Sequence, residues 1–343
     1  MIRVRALRKR FDVHERSPGV AAAFRSLFRR RTRPVLAVDG IDLDIAPGER
    51  VGFLGPNGAG KTTTLKILSG LLHPTSGEVH VDGHEPRRRE DAFLKKIMLV
   101  LGQKQQLLWD LPASETFELN RAVYDVPRAE YEATLRELYD LLELRELVNK
   151  PARTLSLGER MKCELAAALI HRPCVLFLDE PTIGLDVTTQ ATVRDFVKRY
   201  NERSGATLIL TSHDMGDVEQ LCPRVVLIDH GKLVYDGALD RLVARTRPDK
   251  RIVLRFARPV DARDLAHLGS LVQHDAGQSV LQVHKDAVNA VVGHALAQLP
   301  VSDLLVESAP LEEVMSELFK RGRSGPGDSP GAKVPDEAGE ASR

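Results

Sequence analysis

Three short stretches of the chain consist almost entirely of apolar residues. They are Val51 to Leu54, Ile97 to Leu101 and Cys174 to Leu178. Continuous apolar runs of this length are typical of strands that are covered on both faces, as in a parallel sheet. Between the first two runs, Lys61 to Leu72 carries leucines at helical spacing. The pattern predicts an α/β fold built on a buried sheet.

A different pattern near the N-terminus predicts strands with only one buried face. Ile2, Val4 and Ala6 alternate with basic residues in a strand expected to end near Phe11. The apolar positions of Ile41 to Ile45 alternate with acidic residues in the same way. Because side chains on a strand point alternately to opposite faces, such segments suit a sheet that faces solvent on one side.

The middle of the chain is predicted to be largely helical. Pro112 to Val148 is rich in leucine and glutamate at intervals of three and four residues, which predicts two or three inserted helices. An Ala/Leu-rich helix should follow, up to about Ile170. A further helix is expected from Val187 to Arg203, before strands at Thr207 to Leu210 and Val225 to Asp229.

From about Arg245 the pattern changes to short strands separated by helical stretches. The order β-α-β-β-α-β, with a last helix near Leu311 to Phe319, predicts a small α+β domain over residues 245–320. Residues 321–343 are dominated by Gly, Pro, Ser and charges, a composition that predicts a disordered tail. The four expected strands are Ile252 to Phe256, Leu271 to His274, Val280 to His284 and Val301 to Val306.

The clearest chemical signal is the sequence G-P-N-G-A-G-K-T-T between the first apolar run and the first helix. A glycine-rich turn between strand and helix can present its backbone N–H groups to phosphates, aided by the helix dipole. Lys61 is placed to reach the β- and γ-phosphates, and the Thr62 hydroxyl to ligate Mg²⁺. The predicted nucleotide-binding residues of this loop are Gly55, Pro56, Asn57, Gly58, Ala59, Gly60, Lys61, Thr62 and Thr63.

Two adjacent carboxylates follow the third apolar run. Asp179 ends the strand, where a phosphate-loop enzyme places the carboxylate that holds Mg²⁺, and Glu180 comes next. One carboxylate can hold the ion while the other polarises an attacking water. His213 ends the next predicted strand and is placed to contact the γ-phosphate.

Composition excludes several other classes of protein. The chain has 343 residues, 43% of them hydrophobic, and a formal net charge of +1, which gives no overall attraction to nucleic acid. Its three cysteines lie far apart and have no metal-ligand spacing, as expected of reduced thiols. No apolar run approaches the roughly 18 residues of a membrane span, and Met1 to Arg10 lacks the apolar core of a secretory signal. These features predict a cytosolic or peripheral protein.

The segment from Val20 to Pro34 combines several arginines with Phe24, Leu27 and Phe28 on one helical face. A basic amphipathic helix can lie on an anionic membrane or dock on a partner. A solvated loop with a short helix fits the sequence equally well, and both readings stay open.

Taken together, the motifs of residues 1–240 resemble those of the nucleotide-binding subunit of an ATP-binding-cassette (ABC) transporter. The signature motif is L-S-L-G-E-R, in which Leu157 replaces the family's usual glycine and Glu159 its glutamine. The matching segments are Walker A at Gly55 to Thr63, the Q-loop at Gln103 (with Gln105 and Gln106 close by), the signature at Leu155 to Arg160, Walker B at Val175 to Asp179, the D-loop at Gly184 to Asp186, and the switch histidine His213.

This resemblance implies a P-loop NTPase fold with a mixed central sheet, an antiparallel β subdomain and a helical insert at about residues 112–170. It implies ATP and Mg²⁺ as ligands and an ATPase activity in which Glu180, His213 and Gln103 are catalytic. Thr62, Gln103 and Asp179 would hold the metal. The residue that stacks on adenine would be Phe11, displaced from its usual spacing by the basic insert at about residues 13–34.

The resemblance also implies partners. Two such domains, either two copies of this chain or this chain and a homologous subunit, dimerise head to tail. Ser156, Leu157, Gly158 and Glu159 of one then close over ATP held by the other, with Asp186 in the D-loop. A separate membrane permease would dock near Trp109 to Pro112, which places the protein peripherally on the cytoplasmic face of the membrane. The C-terminal appendage looks most like that of bacterial exporters, and no nucleic-acid partner is expected.

Three alternatives remain at this point. The chain could serve an importer. It could be a soluble ABC ATPase acting on ribosomes or DNA, although such proteins usually carry two cassettes or a long coiled-coil insert. It could also be a non-hydrolysing regulator in which ATP only sets the dimer state; the altered signature favours this reading, and the intact Lys61, Asp179, Glu180 and His213 disfavour it. The sequence does not indicate what is transported.

Overall fold

A computed structural model describes residues 1–14, 32–102, 106–246, 249–275, 277–308 and 310–323. The chain divides into two compact units, Met1–Arg245 and Thr246–Arg343. Three parts of the sequence predictions lie outside the described residues. They are Gln103 and Gln105 of the Q-loop, residues 15–31 of the basic segment and residues 324–343 of the tail.

Within the described ranges, the first unit contains nine strands and seven α-helices. An eighth helix begins in this unit and ends at Thr246, one residue beyond it. The strands are β1 Ile2–His14, β2 Thr32–Ile45, β3 Arg50–Leu54, β4 Ser76–Val81, β5 Ile97–Leu101, β6 Val175–Asp179, β7 Thr207–Thr211, β8 Arg224–Asp229 and β9 Lys232–Ala238. The helices are α1 Lys61–Leu68, α2 Asp91–Leu94, α3 Ala113–Val123, α4 Arg128–Leu142, α5 Leu157–Leu169, α6 Val187–Ser204, α7 Met215–Leu221 and α8 Leu239–Thr246.

Six strands form the central sheet in the order β5-β6-β7-β3-β8-β9. The first five of these strands are parallel to one another, whereas β9 is antiparallel to β8, so the sheet is mixed. The apolar strands are buried as expected: Phe53 in β3 and Phe177 in β6 are fully inaccessible to solvent. Because the parallel strands run the same way, the residues that follow β3, β6 and β7 meet at one edge of the sheet. This arrangement confirms the predicted fold class.

A second sheet, antiparallel and in the order β2-β1-β4, packs its apolar face against the central sheet and α1. Here the sequence prediction was wrong about the bounds of the first two strands. β1 runs past Phe11 to His14 and β2 begins at Thr32, so residues 13–14 and 32–34 belong to strands rather than to the basic insert. The cause is main-chain pairing, which matches Asp12 with Pro34 and continues where apolar alternation has ceased.

The helices differ from the predictions in their ends and in their number. α1 ends at Leu68 rather than near Leu72. Gly70 follows with a φ of 73°, and a Cβ there would lie 2.4 Å from the carbonyl oxygen of Pro86, so the chain turns sharply where only glycine fits. Helices α2, α7 and α8 were not predicted at all. Helix α7 begins after Asp214, whose side chain accepts a hydrogen bond from the Gly216 N–H at 2.8 Å.

The second unit is built on a four-stranded antiparallel sheet. Its strands are β10 Asp249–Phe256, β11 Ser270–His274, β12 Gln278–His284 and β13 Val301–Ser308, and its helices are α9 Ala262–Leu265, α10 Val288–Gln298 and α11 Leu311–Arg323. The strand order is β11-β12-β10-β13. This order and the alternation of strands and helices are those of a split βαβ fold. Helix α11 extends to Arg323, so residues 321–323, predicted as tail, are helical.

Candidate ATPase site

The glycine-rich loop connects β3 to α1, which begins at Lys61. Gly60 caps this helix with a φ of 109°, a conformation that favours glycine. A Cβ at Gly60 would also lie 2.3 Å from the carbonyl oxygen of Ala37 in β2, so the loop can approach β2 only without a side chain at this position. The loop therefore leaves the N–H groups at the start of α1 free of side-chain capping, as phosphate binding requires.

Lys61 is buried, with only 7% of its surface exposed. Its ammonium group donates to the carbonyl oxygens of Gly55 at 2.6 Å and Pro56 at 3.1 Å, inside the loop itself. Burial lowers the pKa of Lys61, while the nearby carboxylates of Glu180 and Asp179 act in the opposite direction. The lysine is thus held beside the loop and close to both acids.

Asp179 receives two hydroxyl hydrogen bonds at the end of β6. Thr62 donates to its Oδ1 atom at 3.2 Å, and Thr211 at the end of β7 donates to the same atom at 2.5 Å. No group of three or more His, Cys, Asp or Glu side chains among the described residues is arranged to hold a metal. Mg²⁺, however, is commonly held by one or two carboxylates together with substrate phosphates, and the oxygens of Thr62 and Asp179 suit it.

Glu180 lies beside His213 at the same edge of the sheet. Its backbone has a φ of 56°, in the left-handed region that is rare for residues other than glycine. Its N–H donates to the carbonyl oxygen of Thr211 at 2.9 Å. The Nε2 atom of His213 lies 2.9 Å from Oε1 of Glu180. The structure therefore brings together Lys61, the adjacent acids Asp179 and Glu180, and His213, from three separate segments of the chain.

Helix α5 begins within the signature motif. Glu159 of this motif has a structural role that was not predicted from the sequence. Ser156 accepts a hydrogen bond from the Glu159 N–H at 3.2 Å, and the Glu159 carboxylate accepts one from the Ser156 N–H at 2.8 Å. This reciprocal pair is a capping box. The hydrogen bonds from Ser156 hold the pKa of Glu159 below its ordinary value. Glutamate in place of the usual glutamine is therefore compatible with a well-ordered signature helix.

The remaining signature residues and the D-loop lie near one another. A Cβ at Gly158 would come within 2.8 Å of the Thr189 side chain in α6, and one at Gly184 within 3.2 Å of Leu157, which is 39% exposed. Asp186 caps α6, accepting hydrogen bonds from the N–H of Thr189 at 3.0 Å and from its hydroxyl at 2.7 Å. These bonds lower the pKa of Asp186.

Two predicted ligands are less fully placed. Phe11 lies in β1 opposite Val35, with 37% of its surface exposed, and its role in stacking on adenine stays a prediction. Gln103 lies outside the described residues. Its neighbour Gln106 donates its side-chain amide to the carbonyl oxygen of Leu99 at 3.0 Å, which ties that glutamine to β5.

Sequence reasoning missed Thr211, whose hydroxyl donates to Asp179. The position of Thr211 at a strand end, two residues before the switch histidine, was an available signal.

This combination of fold and site defines a P-loop ATPase of the ABC type. A sequence family described as ABC transporter matches residues 38–183, and one described as EvrA-like ABC transporter, C-terminal domain, matches residues 248–307. The chain is 34% identical over 222 residues to the ABC transporter ATP-binding protein NatA of Bacillus subtilis (strain 168), covering 65% of this chain and 90% of NatA. It belongs to the family of ABC transporter ATP-binding proteins, and it binds and hydrolyses ATP.

Two further relatives match over most of both chains. The linearmycin resistance ATP-binding protein LnrL of Bacillus subtilis (strain 168) is 31% identical over 293 residues, covering 83% of this chain and 94% of LnrL. The daunorubicin/doxorubicin resistance ATP-binding protein DrrA of Streptomyces peucetius is 32% identical over 294 residues, covering 82% and 86%.

Solved structures support the same assignment. One described as the dimeric post-hydrolysis state of the ATP-binding cassette MJ0796 bound to ADP and Pi has a TM-score of 0.57 at 26% identity. It covers 70% of this chain and 99% of that structure's chain. Within the described ranges of the present protein, no helix has the length and apolar character needed to cross a bilayer.

Proposed function

We propose that this protein drives export through a separate membrane permease, at the cytoplasmic face of the membrane, by closing and opening an ATP-dependent dimer. The observation that supports ATP hydrolysis as the driving step is the 2.9 Å approach of His213 to Glu180. Glu180 directly follows Asp179 in the sequence and lies near the buried Lys61. The names of the resistance proteins LnrL and DrrA, which match most of the chain, support export.

The proposed chemistry uses residues of this chain in separate roles. Lys61 and the N–H groups at the start of α1 bind the phosphates of ATP. Thr62 and Asp179 would hold Mg²⁺, with Gln103 as a further ligand, and the bound ion would offset negative charge on the phosphates. Glu180 orients the attacking water and accepts its proton, while His213 fixes the Glu180 carboxylate and reaches the γ-phosphate. Phe11 contributes a face for the adenine ring.

The second half of the site is proposed to come from another copy or a homologous subunit. Ser156 and Gly158 lie at the start of α5, and the N-terminus of a helix attracts anions. In a head-to-tail dimer, this helix would close over the γ-phosphate bound to the loop of the opposite subunit. The dimeric cassette structures that resemble this chain support such an assembly.

An exposed apolar segment after β5 is the proposed docking surface for the permease. Leu108, Trp109 and Leu111 expose 39%, 46% and 44% of their surfaces. Main-chain hydrogen bonds of 3.0 Å join the carbonyl oxygens of Trp109 and Leu111 to the N–H groups of Arg153 and Ala152. Because residues 152–153 lead directly to the signature, a force applied at Trp109 has a short path to Ser156.

The test is to co-express the tagged chain with the products of its neighbouring reading frames and to measure recovery of a membrane protein with it, comparing Trp109→Asp with the unaltered chain. A charge on this surface should reduce recovery of the complex at least tenfold without changing ATP affinity. Val234→Asp is the matched control, because Val234 is 60% exposed on β9, at the opposite edge of the central sheet from β5. Equal recovery with both variants would contradict the proposed surface. The direction would follow from ATP-dependent uptake into inside-out vesicles, which export requires and import excludes.

A further inference from the structure

The buried carboxylate of Asp217 accepts hydrogen bonds from both of the loops that carry Glu180 and His213. Asp217, in α7, is wholly inaccessible to solvent. One of its oxygens accepts hydrogen bonds from the hydroxyls of Thr182 and, at 2.6 Å, Ser212. The other accepts the Nε–H of Arg194 in α6 at 2.6 Å. A buried charge is tolerated when it is paired and hydrogen-bonded in this way.

The two hydroxyl donors have special positions in the chain. Thr182 lies two residues after Glu180, and Ser212 directly precedes His213. Both are buried, with 2% and 4% of their surfaces exposed. They come from different segments of the chain, and both donate to the same oxygen atom of Asp217, which keeps the two segments together.

Arg194 extends the cluster toward the D-loop. Besides Asp217, its guanidinium contacts the Asp214 carboxylate at 3.0 Å, next to His213. Arg194 belongs to α6, the helix capped by Asp186. The Asp217–Arg194 pair is therefore connected to the turn after Glu180, to the loop that bears His213, and to helix α6, which begins after Asp186 of the D-loop.

The backbone of Glu180 explains why such an anchor is needed. A glutamate at a φ of 56° is in a sparsely populated conformation, which persists only when the surrounding structure holds it. The turn after Glu180 is held by Thr182, and the loop bearing His213 is held by Ser212. If either hydroxyl lost its acceptor, the 2.9 Å approach of His213 to Glu180 would no longer be fixed.

We infer that Asp217 is a positioning residue for ATP hydrolysis, which sets the relative placement of Glu180 and His213 through the hydroxyls of Thr182 and Ser212. This inference rests on the roles proposed above for those two residues. Asp217 is wholly inaccessible to solvent and so is out of reach of bound nucleotide; it therefore acts on the hydrolytic step rather than on ATP binding.

The test compares Thr182→Val with Thr182→Ser in the full-length protein. Valine keeps the shape of threonine and removes the hydroxyl, whereas serine keeps the hydroxyl. Thr182→Val should lower kcat for ATP five- to twentyfold with the ATP dissociation constant changed less than twofold, and Thr182→Ser should retain at least half of the original kcat. Asp236→Asn is the control for a general loss of stability, since it breaks a partly buried ion pair with Arg224 between β8 and β9. That control should leave kcat unchanged.

Hydrogen exchange provides a second readout that does not depend on activity. Thr182→Val should speed exchange of the backbone amides of residues 211–214, about thirty residues away in sequence, and Thr182→Ser and Asp236→Asn should not. Unchanged exchange there, or an unchanged kcat in Thr182→Val, would overturn the inference. Faster exchange together with a Glu180→Gln variant of normal turnover would instead show that the proposed role of Glu180 is wrong while the structural coupling stands.

Discussion

The Nε2 atom of His213 lies 2.9 Å from the Oε1 atom of Glu180, although the two residues belong to loops that follow different strands. Glu180 follows β6 and His213 follows β7, and these strands are parallel neighbours. Their C-terminal ends thus place a carboxylate and an imidazole side by side at the edge where the phosphate loop also lies. A general base oriented by a second group is a recurring arrangement in hydrolytic enzymes.

Replacing Lys61 with alanine should weaken ATP binding, because a charge-assisted contact to phosphate is lost. The expected cost is about 1.5–3 kcal/mol, or roughly 10- to 150-fold in the dissociation constant measured by titration calorimetry. Lys96→Ala is the control, since Lys96 forms an exposed ion pair with Asp82 outside the loop. An affinity for ATP that stays the same in Lys61→Ala would mean that this loop is not the triphosphate site.

A mixed dimer tests whether the signature acts across subunits. One subunit carries Ser156→Arg, which blocks closure, and the other carries Lys61→Ala, which empties its phosphate loop. If Ser156 acts in trans, both defects fall in one composite site and the second site keeps intact Lys61 and Ser156. The mixed dimer should then regain ATPase activity that neither homodimer shows.

A mixed dimer without activity would leave two possibilities, strict coupling of the two sites or action in cis. A disulfide crosslink between cysteines introduced at Ser156 and in the phosphate loop separates them. Crosslinking between chains in the presence of ATP supports the head-to-tail dimer, and crosslinking only within one chain contradicts it.

The pH dependence of stability should report His171. This histidine stacks on Tyr124 with ring centroids 3.7 Å apart, and burial lowers its pKa to about 4. In the unfolded chain the value is about 6.5, so the unfolded state binds more protons between these limits. The free energy of unfolding should therefore fall as pH decreases from about 6.5 to 4, by roughly 1–3 kcal/mol.

Urea denaturation at pH 7.5, 5.5 and 4.5 measures this effect. His171→Gln should show a smaller loss of stability on acidification than the unaltered chain. His230→Gln, at a histidine whose side chain is 86% exposed, serves as the control and should follow the unaltered chain. Identical pH profiles for all three proteins would rule out His171 as the source.

The sequence was sufficient where chemistry or burial imposes a strong pattern. The sequence singled out the phosphate loop, Asp179 and Glu180 because glycine at fixed spacing and acids at the end of an apolar strand are rare by chance, and His213 by its place at the end of the following strand. Contacts between distant segments were not predictable in this way. The extension of β1 to His14 depends on main-chain pairing, and the hydrogen bonds of Asp217 depend on tertiary placement.

The capping box of the signature helix was not predicted, although its sequence pattern is present. Ser156 and Glu159 have the spacing of a capping box, S-x-x-E. Comparison with the usual signature directed attention to the missing glutamine instead. The structure shows that the glutamate stabilises the start of α5, so the altered motif is weak support for a non-hydrolysing protein.

ATP turnover by Glu180→Gln shows most directly whether Glu180 activates the attacking water. Glutamine keeps the size of the side chain but cannot accept the proton of the attacking water, so turnover should fall by about 10²- to 10⁴-fold. ATP binding should remain, and the variant should accumulate as an ATP-dependent dimer on size-exclusion chromatography. Glu202→Gln, at an exposed glutamate paired with Arg50, should behave as the unaltered protein. Turnover by Glu180→Gln within a few-fold of the unaltered protein would contradict the central claim that Glu180 activates water for hydrolysis.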